Sequence, residues 1–291
     1  MEKKIFDFDQ VVTHSTIFHA DDVFGCAMCR LIDPKIEIIR TLDIEEQLKR
    51  SGNIGKKALV FDIGMGKYDH HQQDKALRAD GTPYCGFGLL WRDFGYMLCP
   101  DPDAWEKVDQ NFVLAIDKAD NGVSQNLLSA SIKAFNPNWN STDSENVAFH
   151  RALLVAMQIL QQQVAHANSI VAARDQVIAS YTGGEILVLD KYLPYTDIVQ
   201  TDPRFKDLLF VVYPSQRGGW NVQTIPREPG QFVNKMDFPE SWLGHADPER
   251  GIHFAHTSNF LIACDTKEQA IRVAEEAVQE GSVPAVVAAS I

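Results

Sequence analysis

The sequence predicts an α/β protein with a parallel-sheet N-terminal domain, a long connecting helix and a smaller α+β C-terminal domain. In the first half, short apolar runs alternate with helical patterns, which is typical of a parallel sheet. Over residues 144–181, apolar residues recur at helical spacing without a break. In the second half, several strand-like segments precede a single helix. We therefore expect domains at 1–145 and 183–291, joined by a helix over 146–182.

Three segments of the first half have the apolar composition of strands, namely 11–13, 36–39 and 58–63. The third is apolar up to Asp62 and is then broken by glycines, which is typical of a buried parallel strand. Helical patterns cover 21–32, 86–98 and 103–119. The polar segment 136–146 predicts a loop before the long helix.

The second half contains five strand-like segments, at 186–190, 208–213, 220–225, 252–256 and 261–264. Apolar residues from Ala270 to Val278 recur at helical spacing and predict a closing helix. The segment 226–250 is rich in Pro and Gly and predicts a long loop. Loops of this length in compact domains are often functional.

The composition is that of a globular protein, with 45% hydrophobic and 23% charged residues among 291. The 27 basic and 39 acidic residues give a net charge of −12, whose average field repels phosphate. An activity on phosphate esters would therefore need local positive charge, such as a bound metal ion. The five cysteines are odd in number and irregular in spacing, which favours a reducing compartment. Because the sequence has neither a membrane-span pattern nor a secretory leader pattern, we expect a cytoplasmic protein.

Histidines and aspartates follow the predicted strands and helix ends, where ligands bind in parallel α/β sheets. Four clusters meet this description, namely residues 13–22, Asp62, residues 68–72 and residues 117–122. Each cluster alone is typical of helix caps and turns. Asp62 is more informative, because a carboxylate beside apolar neighbours must be paired or metal-bound. Together the clusters predict one site at the carboxyl edge of the sheet.

Imidazole and carboxylate ligands without thiolates suit Mn²⁺, Fe²⁺, Zn²⁺ or Mg²⁺. The candidate ligands are His14, His19, Asp21, Asp62, His70 and Asp120. They are too many for one tetrahedral ion and suit two ions about 3.5–4 Å apart. The three aspartates and a bridging hydroxide would balance two divalent ions, so an anionic phosphate could enter. Two such ions would activate the hydroxide for attack on phosphorus.

These clusters resemble the four motifs of the DHH phosphoesterase superfamily. The motifs are His19-Ala-Asp21 after a strand, Asp62, Asp69-His70-His71, and Asp120-Asn-Gly. More specifically, the chain resembles the Myg-type family, the melanocyte proliferating gene proteins. That resemblance adds Thr13-His14, Phe18-His19, Gln72, Asp117, Trp220-x-Val-Gln223, Pro226-x-Glu-Pro229 and His256-x-Ser258. It covers nearly the whole chain, from residue 13 to about residue 260.

The resemblance implies a parallel-sheet DHH-type domain and a metal-dependent phosphodiesterase with 3′–5′ exonuclease activity on RNA. It implies two divalent cations, Mn²⁺ first, held by the six candidate ligands, with Asp117 supporting or replacing Asp120. His71 would contact the phosphate or protonate the leaving oxygen, and Asp69 would orient a histidine. The second domain would supply substrate-binding groups, for which the candidates are Arg217, Arg227, His253, His256 and Ser258. Where the family motifs have glycine, this chain has Thr16 and Asn259.

We therefore expect a two-metal phosphoesterase that cleaves phosphodiester bonds of RNA or short oligonucleotides. A second hypothesis is hydrolysis of a small phosphorylated compound, such as pyrophosphate or a nucleotide bisphosphate. The acidic composition favours it, because a long RNA needs a basic track. A third hypothesis is a non-catalytic sensor of metal or nucleic acid, which the altered segment 256–263 favours.

Overall fold

The computed structural model describes residues 5–50 and 52–283. The chain divides into two compact units, Met1–Asn168 and Ser169–Ile291. The first contains a parallel three-stranded sheet and the second a mixed five-stranded sheet, which confirms the predicted α/β class. The predicted domains 1–145 and 183–291 with the connecting helix 146–182 stay a prediction.

The sheet of the first unit consists of β1 (Gln10–Thr13), β2 (Glu37–Arg40) and β3 (Ala58–Val60). The strands are parallel in the order β2-β1-β3, so β1 is central, and its four residues are buried. Val12 of β1 pairs with Val60 of β3. The carboxyl ends of these two strands therefore lie side by side. The third strand is shorter than predicted, because Asp62 and Gly64 both have positive φ angles and turn the chain.

Helices of the first unit are α1 (Ala20–Ile32), α2 (Ile44–Lys49), α3 (Gly86–Phe94), α4 (Pro102–Val108), α5 (Leu114–Asp120) and α6 (Leu127–Lys133). α1 packs against α3, α5 and α6. The predicted helical segment 103–119 is helical throughout, and a π-helical turn at Asp109–Val113 lies between α4 and α5. Such turns occur frequently at functional sites.

The long helix α7 (Glu145–Ala179) starts near the predicted position, and the division between the two units falls inside it. Its length reflects an uninterrupted run of helix-forming residues, without an internal proline or glycine. Among the described residues, we find no helix with both the length and the apolar character that a membrane crossing requires.

The second unit contains β4 (Ile186–Val188), β5 (Phe210–Pro214), β6 (Trp220–Thr224), β7 (Ile252–Ala255), β8 (Leu261–Cys264), α8 (Thr196–Thr201) and α9 (Lys267–Glu280). The sheet order is β4-β5-β6-β8-β7, with β4 and β5 parallel and the other neighbours antiparallel. Side chains alternate between the two faces of β5. Phe210 and Val212 pack in a cluster with α9, whereas Val211 and Tyr213 pack in a cluster with the end of α7.

Two positions at which the family motifs carry glycine have a left-handed backbone here. Thr16 has φ +75° and Asn259 has φ +55°. Asn259 tolerates this conformation, and its side chain bonds the backbone of Phe238 through both amide atoms. Thr16 is β-branched and exposed, and its carbonyl accepts a 2.7 Å hydrogen bond from Arg40 Nη2. The strain is therefore concentrated at Thr16.

We expect Thr16→Gly to stabilise the protein by about 1 kcal/mol, because glycine adopts this backbone without a Cβ clash. The bond from Arg40 goes to the backbone and persists in the variant. Urea unfolding measures the change. Thr16→Ala is the matched control, because alanine keeps the Cβ, and equal stability of the two variants would contradict the prediction.

Candidate metal centre

The predicted ligands of the first unit meet where β1 and β3 end and α1 begins. His14 directly follows β1, and Asp62 lies just beyond β3. His19 is the N-cap of α1, and Asp21 and Asp22 lie in its first turn. Because β1 and β3 are parallel neighbours, their polar extensions reach the same edge of the sheet.

Asp62 lies at the centre of this cluster. Its Oδ2 is 3.3 Å from His14 Nε2, and its Oδ1 is 3.0 Å from His70 Nε2. His14 Nε2 is also 2.9 Å from Asp22 Oδ2. The φ of Asp62 is +56°, an uncommon conformation that aspartate tolerates better than most residues. Backbone strain of this kind is concentrated at functional sites.

His70 connects Asp62 to the other carboxylates. Its Nε2 lies 3.2 Å from Asp120 Oδ2 and 3.7 Å from Asp21 Oδ2. Among the described residues, three groups of side chains offer ligand atoms that lie within 4.8 Å of one another. They are Asp62 with His70 and His71, His14 with Asp22 and Asp62, and His19 with Asp21 and Asp120. The structure thus brings together the six predicted ligands and adds Asp22.

Asp21 provides a test of whether these residues fit a metal ion. It is 1% exposed, and neither carboxylate oxygen has a hydrogen-bond partner in the described part of the chain. Burial, and then repulsion from Asp62 and Asp120, raises the pKa of Asp21 well above its usual value. A buried carboxylate without compensation costs several kcal/mol. A divalent cation supplies that compensation, and the imidazole and carboxylate donors suit Mn²⁺, Fe²⁺, Zn²⁺ or Mg²⁺.

The contact between His14 and Asp62 shifts their pKa values in opposite directions. Burial opposes protonation of His14, but hydrogen bonds to Asp22 and Asp62 raise its pKa to about 10. Burial would also raise the pKa of Asp62, but His14 and His70 hold it at about 2. The stabilisation of the folded state by protonated His14 is complete below pH 6.5 and is lost as the pH rises toward about 10. The stabilisation from Asp62 is complete above pH 3.8 and is lost as the pH falls toward about 2.

We expect the affinity for Mn²⁺ to increase with pH, by about tenfold per pH unit for each proton released. The cationic His14 must lose its proton before Nε2 can bind an ion, and its pKa of about 10 keeps it protonated at neutral pH. Calorimetric titration in two buffers of different ionisation enthalpy measures the protons released. An affinity that does not change between about pH 6 and about pH 9 would contradict this expectation.

His71 and Asp69 form a second pair at the edge of the cluster. Asp69 Oδ1 lies 2.8 Å from His71 Nδ1, and Asp69 Oδ2 accepts a 2.7 Å bond from the Met65 amide. Burial would raise the pKa of Asp69, but bonds from the His71 amide and ring hold it below its usual value. An ionised Asp69 can only accept, so Nδ1 of His71 carries a proton. His71 is mostly exposed, so its Nε2 is available to a substrate.

Asp117 lies outside the carboxylate cluster. Its Oδ2 accepts a 2.5 Å bond from Arg78 Nε, and its Oδ1 accepts a 2.9 Å bond from the Cys85 amide. Gly88 makes room for it, since a Cβ there would lie 2.2 Å from Asp117 Oδ1. Arg78 also binds Asp109 through both terminal nitrogens, at 2.6 and 3.0 Å. Of the two alternatives from the sequence, the structure therefore places Asp120, and not Asp117, among the candidate ligands.

Sequence reasoning missed Asp22, Arg78 and Asp109 as parts of this centre. Asp22 follows a predicted ligand directly and could have been found by that adjacency. Arg78 had no signal, because its partners Asp109 and Asp117 are 31 and 39 residues away.

Three of the five predicted substrate-binding residues share a cleft in the second unit. Arg217, His253 and His256 line it, together with the aromatic rings of Tyr192, Phe254 and Phe260. Its volume is about 720 Å³. Nδ1 of His256 accepts a 3.0 Å bond from the Ser258 amide.

Ser258 and Arg227 are not among the residues that line this cleft. Ser258 is exposed beside it, and Arg227 lies on the loop, where its amide bonds the carbonyl of Val233.

A sheet with histidines and aspartates gathered at its carboxyl edge is the arrangement of a metal-dependent hydrolase. The family model MYG1_exonuc, described as Uncharacterised protein family (UPF0160), matches residues 10–278. The chain belongs to this family, which confirms the resemblance found in its motifs.

The chain is similar to several curated relatives. MYG1 exonuclease of Rattus norvegicus is 28% identical over 335 residues, covering 94% of this chain and 86% of the relative. MYG1 exonuclease of Homo sapiens is 28% identical over 334 residues with the same coverage. MYG1 protein YER156C of Saccharomyces cerevisiae is 26% identical, covering 91% of this chain and 94% of the relative.

One solved structure, a Vibrio pGpG-specific phosphodiesterase named PggH, matches with a TM-score of 0.28 and 14% identity. The match covers 94% of this chain and 100% of that chain. A TM-score this low does not establish a shared fold. The family and its relatives make this chain an enzyme of the phosphoesterase class, as predicted.

Proposed function

We propose that this enzyme is a phosphodiesterase that uses two divalent cations, with Mn²⁺ first among them, to degrade RNA or short oligonucleotides from the 3′ end. The observation that carries the proposal is the buried carboxylate of Asp21, which lies inside a cluster of histidines and aspartates and has no hydrogen-bond partner among the described residues. The relatives named MYG1 exonuclease support the same class of reaction.

Two sets of side chains would hold the ions. His14, Asp22 and Asp62 form one set, and His19, Asp21 and Asp120 form the other. His70 would complete the site, because its Nε2 lies between Asp62 and Asp120. When bound, divalent ions neutralise phosphate charge and make a water molecule acidic enough to attack phosphorus.

The chain's own residues would position the substrate and move a proton. The Asp69 carboxylate holds the His71 ring through Nδ1 and leaves Nε2 toward solvent. As an imidazolium, with a proton on each ring nitrogen, His71 can donate from Nε2 to a phosphate oxygen or to the leaving oxygen and become neutral with its Nδ1 proton still hydrogen-bonded to Asp69. Asp69 acts as the positioning residue, because it fixes both the orientation and the tautomer of the ring.

The cleft of the second unit favours a substrate that contains bases. Phe254, Phe260 and Tyr192 are each between 39% and 53% exposed and line it together with Arg217. Aromatic faces stack on nucleobases, and an arginine binds phosphate. Pyrophosphate would use neither the rings nor a cleft of about 720 Å³.

A small phosphorylated compound is the second candidate. The net charge of −12 favours it, because an acidic protein attracts a long polyanion poorly. A nucleotide bisphosphate carries a base that can stack on aromatic faces such as those of this cleft. The comparisons favour either enzyme over the non-catalytic sensor.

The test uses one RNA labelled in parallel at its 5′ or its 3′ end. The full chain is treated with EDTA, analysed for metal, and assayed before and after Mn²⁺ is restored. We expect activity only after Mn²⁺, a shortening ladder from the 5′ label and early release of a mononucleotide from the 3′ label. Preference for adenosine 3′,5′-bisphosphate or pyrophosphate would select the second candidate. Absence of hydrolysis of every phosphoester would exclude both.

A further inference from the structure

A second cleft, which we call the α6 cleft, adjoins the metal centre within the first unit. Its walls include His19, Asp120, Val123, Leu127, Ser129 and Lys133. Its volume is about 760 Å³, within the range of roughly 300–1,000 Å³ that is usual for small-molecule sites. The mechanism described above uses His19 and Asp120 but leaves the rest of this cleft without a role.

The position of the cleft determines what can enter it. His19 and Asp120 belong, with Asp21, to one of the candidate metal-binding groups. A phosphate bound at this group would therefore lie beside two residues that line the α6 cleft. The substituent on that phosphate has the cleft directly beside it.

The walls combine apolar surface with one cation. Leu127 is 85% exposed and Val123 is 57% exposed, and both line the cleft. Lys133 is the only lysine or arginine among the described residues of the wall. An apolar surface and a cation are complementary to a base and a phosphate.

We propose that the α6 cleft binds the nucleoside next to the scissile phosphate, with the base against Leu127 and Val123. Lys133 pairs with a further phosphate. The inference rests on the proposed function, because it takes the substrate to be a nucleotide. It makes the first unit, and not only the cleft of the second unit, a determinant of substrate choice.

The experiment compares AMP with ribose 5-phosphate, which has the same phosphate but no base. Binding to the full chain loaded with Mn²⁺ is measured by equilibrium dialysis. We expect Leu127→Ala to reduce the affinity for AMP by about tenfold and to leave the affinity for ribose 5-phosphate unchanged. Leu42→Ala is the matched control, because Leu42 is 68% exposed in the same unit and does not line the cleft.

Lys133 is tested separately with adenosine 3′,5′-bisphosphate. We expect the second phosphate to increase affinity over AMP by about threefold, and Lys133→Ala to remove that increase. Lys49→Ala, on α2, is the control for loss of an exposed lysine.

The outcomes separate this inference from the proposed function. If Leu127→Ala and Leu42→Ala bind AMP with equal affinity, the proposal of a nucleoside site in the α6 cleft is overturned. Equal affinity of the unsubstituted chain for AMP and ribose 5-phosphate would overturn it as well. Either result leaves Mn²⁺-dependent RNA hydrolysis intact. Conversely, if Leu127→Ala selectively weakens AMP binding but the unsubstituted chain hydrolyses no phosphoester, the nucleoside site is supported and the proposed phosphodiesterase activity is rejected.

Discussion

Asp62→Asn is expected to reduce turnover by about a thousandfold or more, equivalent to about 4 kcal/mol of transition-state stabilisation. Asp62 contributes to two of the three candidate metal groups and lies within 3.3 Å of both His14 and His70. An amide of the same shape has no negative charge and binds divalent ions weakly. His70→Ala, which removes the link between Asp62 and Asp120, is expected to have an effect of similar size.

The asparagine variant separates a chemical loss from a folding defect. Position 62 has φ +56°, and asparagine adopts that conformation as readily as aspartate. The backbone turn after β3 should therefore persist, whereas alanine would add strain.

RNA hydrolysis, bound metal and circular dichroism are measured on the same preparation. Asp175→Asn, at an exposed position on α7, controls for the loss of one carboxylate. Turnover above a tenth of the unsubstituted rate would contradict the assignment of Asp62.

The sheet of the first unit could be predicted because its strands are short apolar runs with polar residues at their ends. A parallel sheet with β1 at its centre brings His14 and Asp62 together. The other clusters of histidine and aspartate predicted His19, Asp21, His70 and Asp120, and the motif resemblance then pointed to the same residues. The strands of the second unit were also predicted, with shifts of one or two residues at their ends.

Short helices could not be predicted, because two turns are too few to establish a period of 3.6 residues. α2, α6 and α8 each have six or seven residues. The omission of α6 had a consequence for function, since Leu127 and Lys133 of the α6 cleft lie on it. Asp22 was overlooked for a different reason. An acidic residue in a first helical turn is explained by capping alone, and Asp22 does bond the His19 amide at 3.3 Å.

The buried ion network of Arg78 with Asp109 and Asp117 fixes the position of the helix that carries Asp120. Asp117 and Asp120 both lie on α5, and Arg78 holds Asp117. The Asn121 side chain donates to the Asp117 carbonyl at 3.0 Å and to the Pro83 carbonyl at 3.1 Å. The end of α5 is thereby fixed, and Asp120 is fixed with it. The network therefore connects the π-helical turn that carries Asp109 to the candidate metal-binding carboxylate of Asp120.

Arg78→Met is expected to destabilise the first unit by about 3–5 kcal/mol, since removing one partner leaves buried charge without compensation. Asp109 is 4% exposed and Asp117 is fully buried, and each accepts at least one bond from Arg78. Burial already raises the pKa of Asp117 despite the guanidinium, so loss of Arg78 should leave that carboxyl still harder to ionise. The stability of Arg78→Lys should lie between that of Arg78→Met and that of the unsubstituted chain, because an ammonium keeps the charge but cannot reproduce the planar guanidinium fork.

Urea unfolding followed by tryptophan fluorescence measures the loss, since Trp91 and Trp105 stack in the first unit. Arg151→Met is the control, because Arg151 is 62% exposed and lies 3.9 Å from Asp143. In the Arg78→Met background, Asp109→Asn should restore part of the stability by removing one uncompensated charge. Equal unfolding midpoints for Arg78→Met and Arg151→Met would show that the two buried carboxylates do not depend on Arg78.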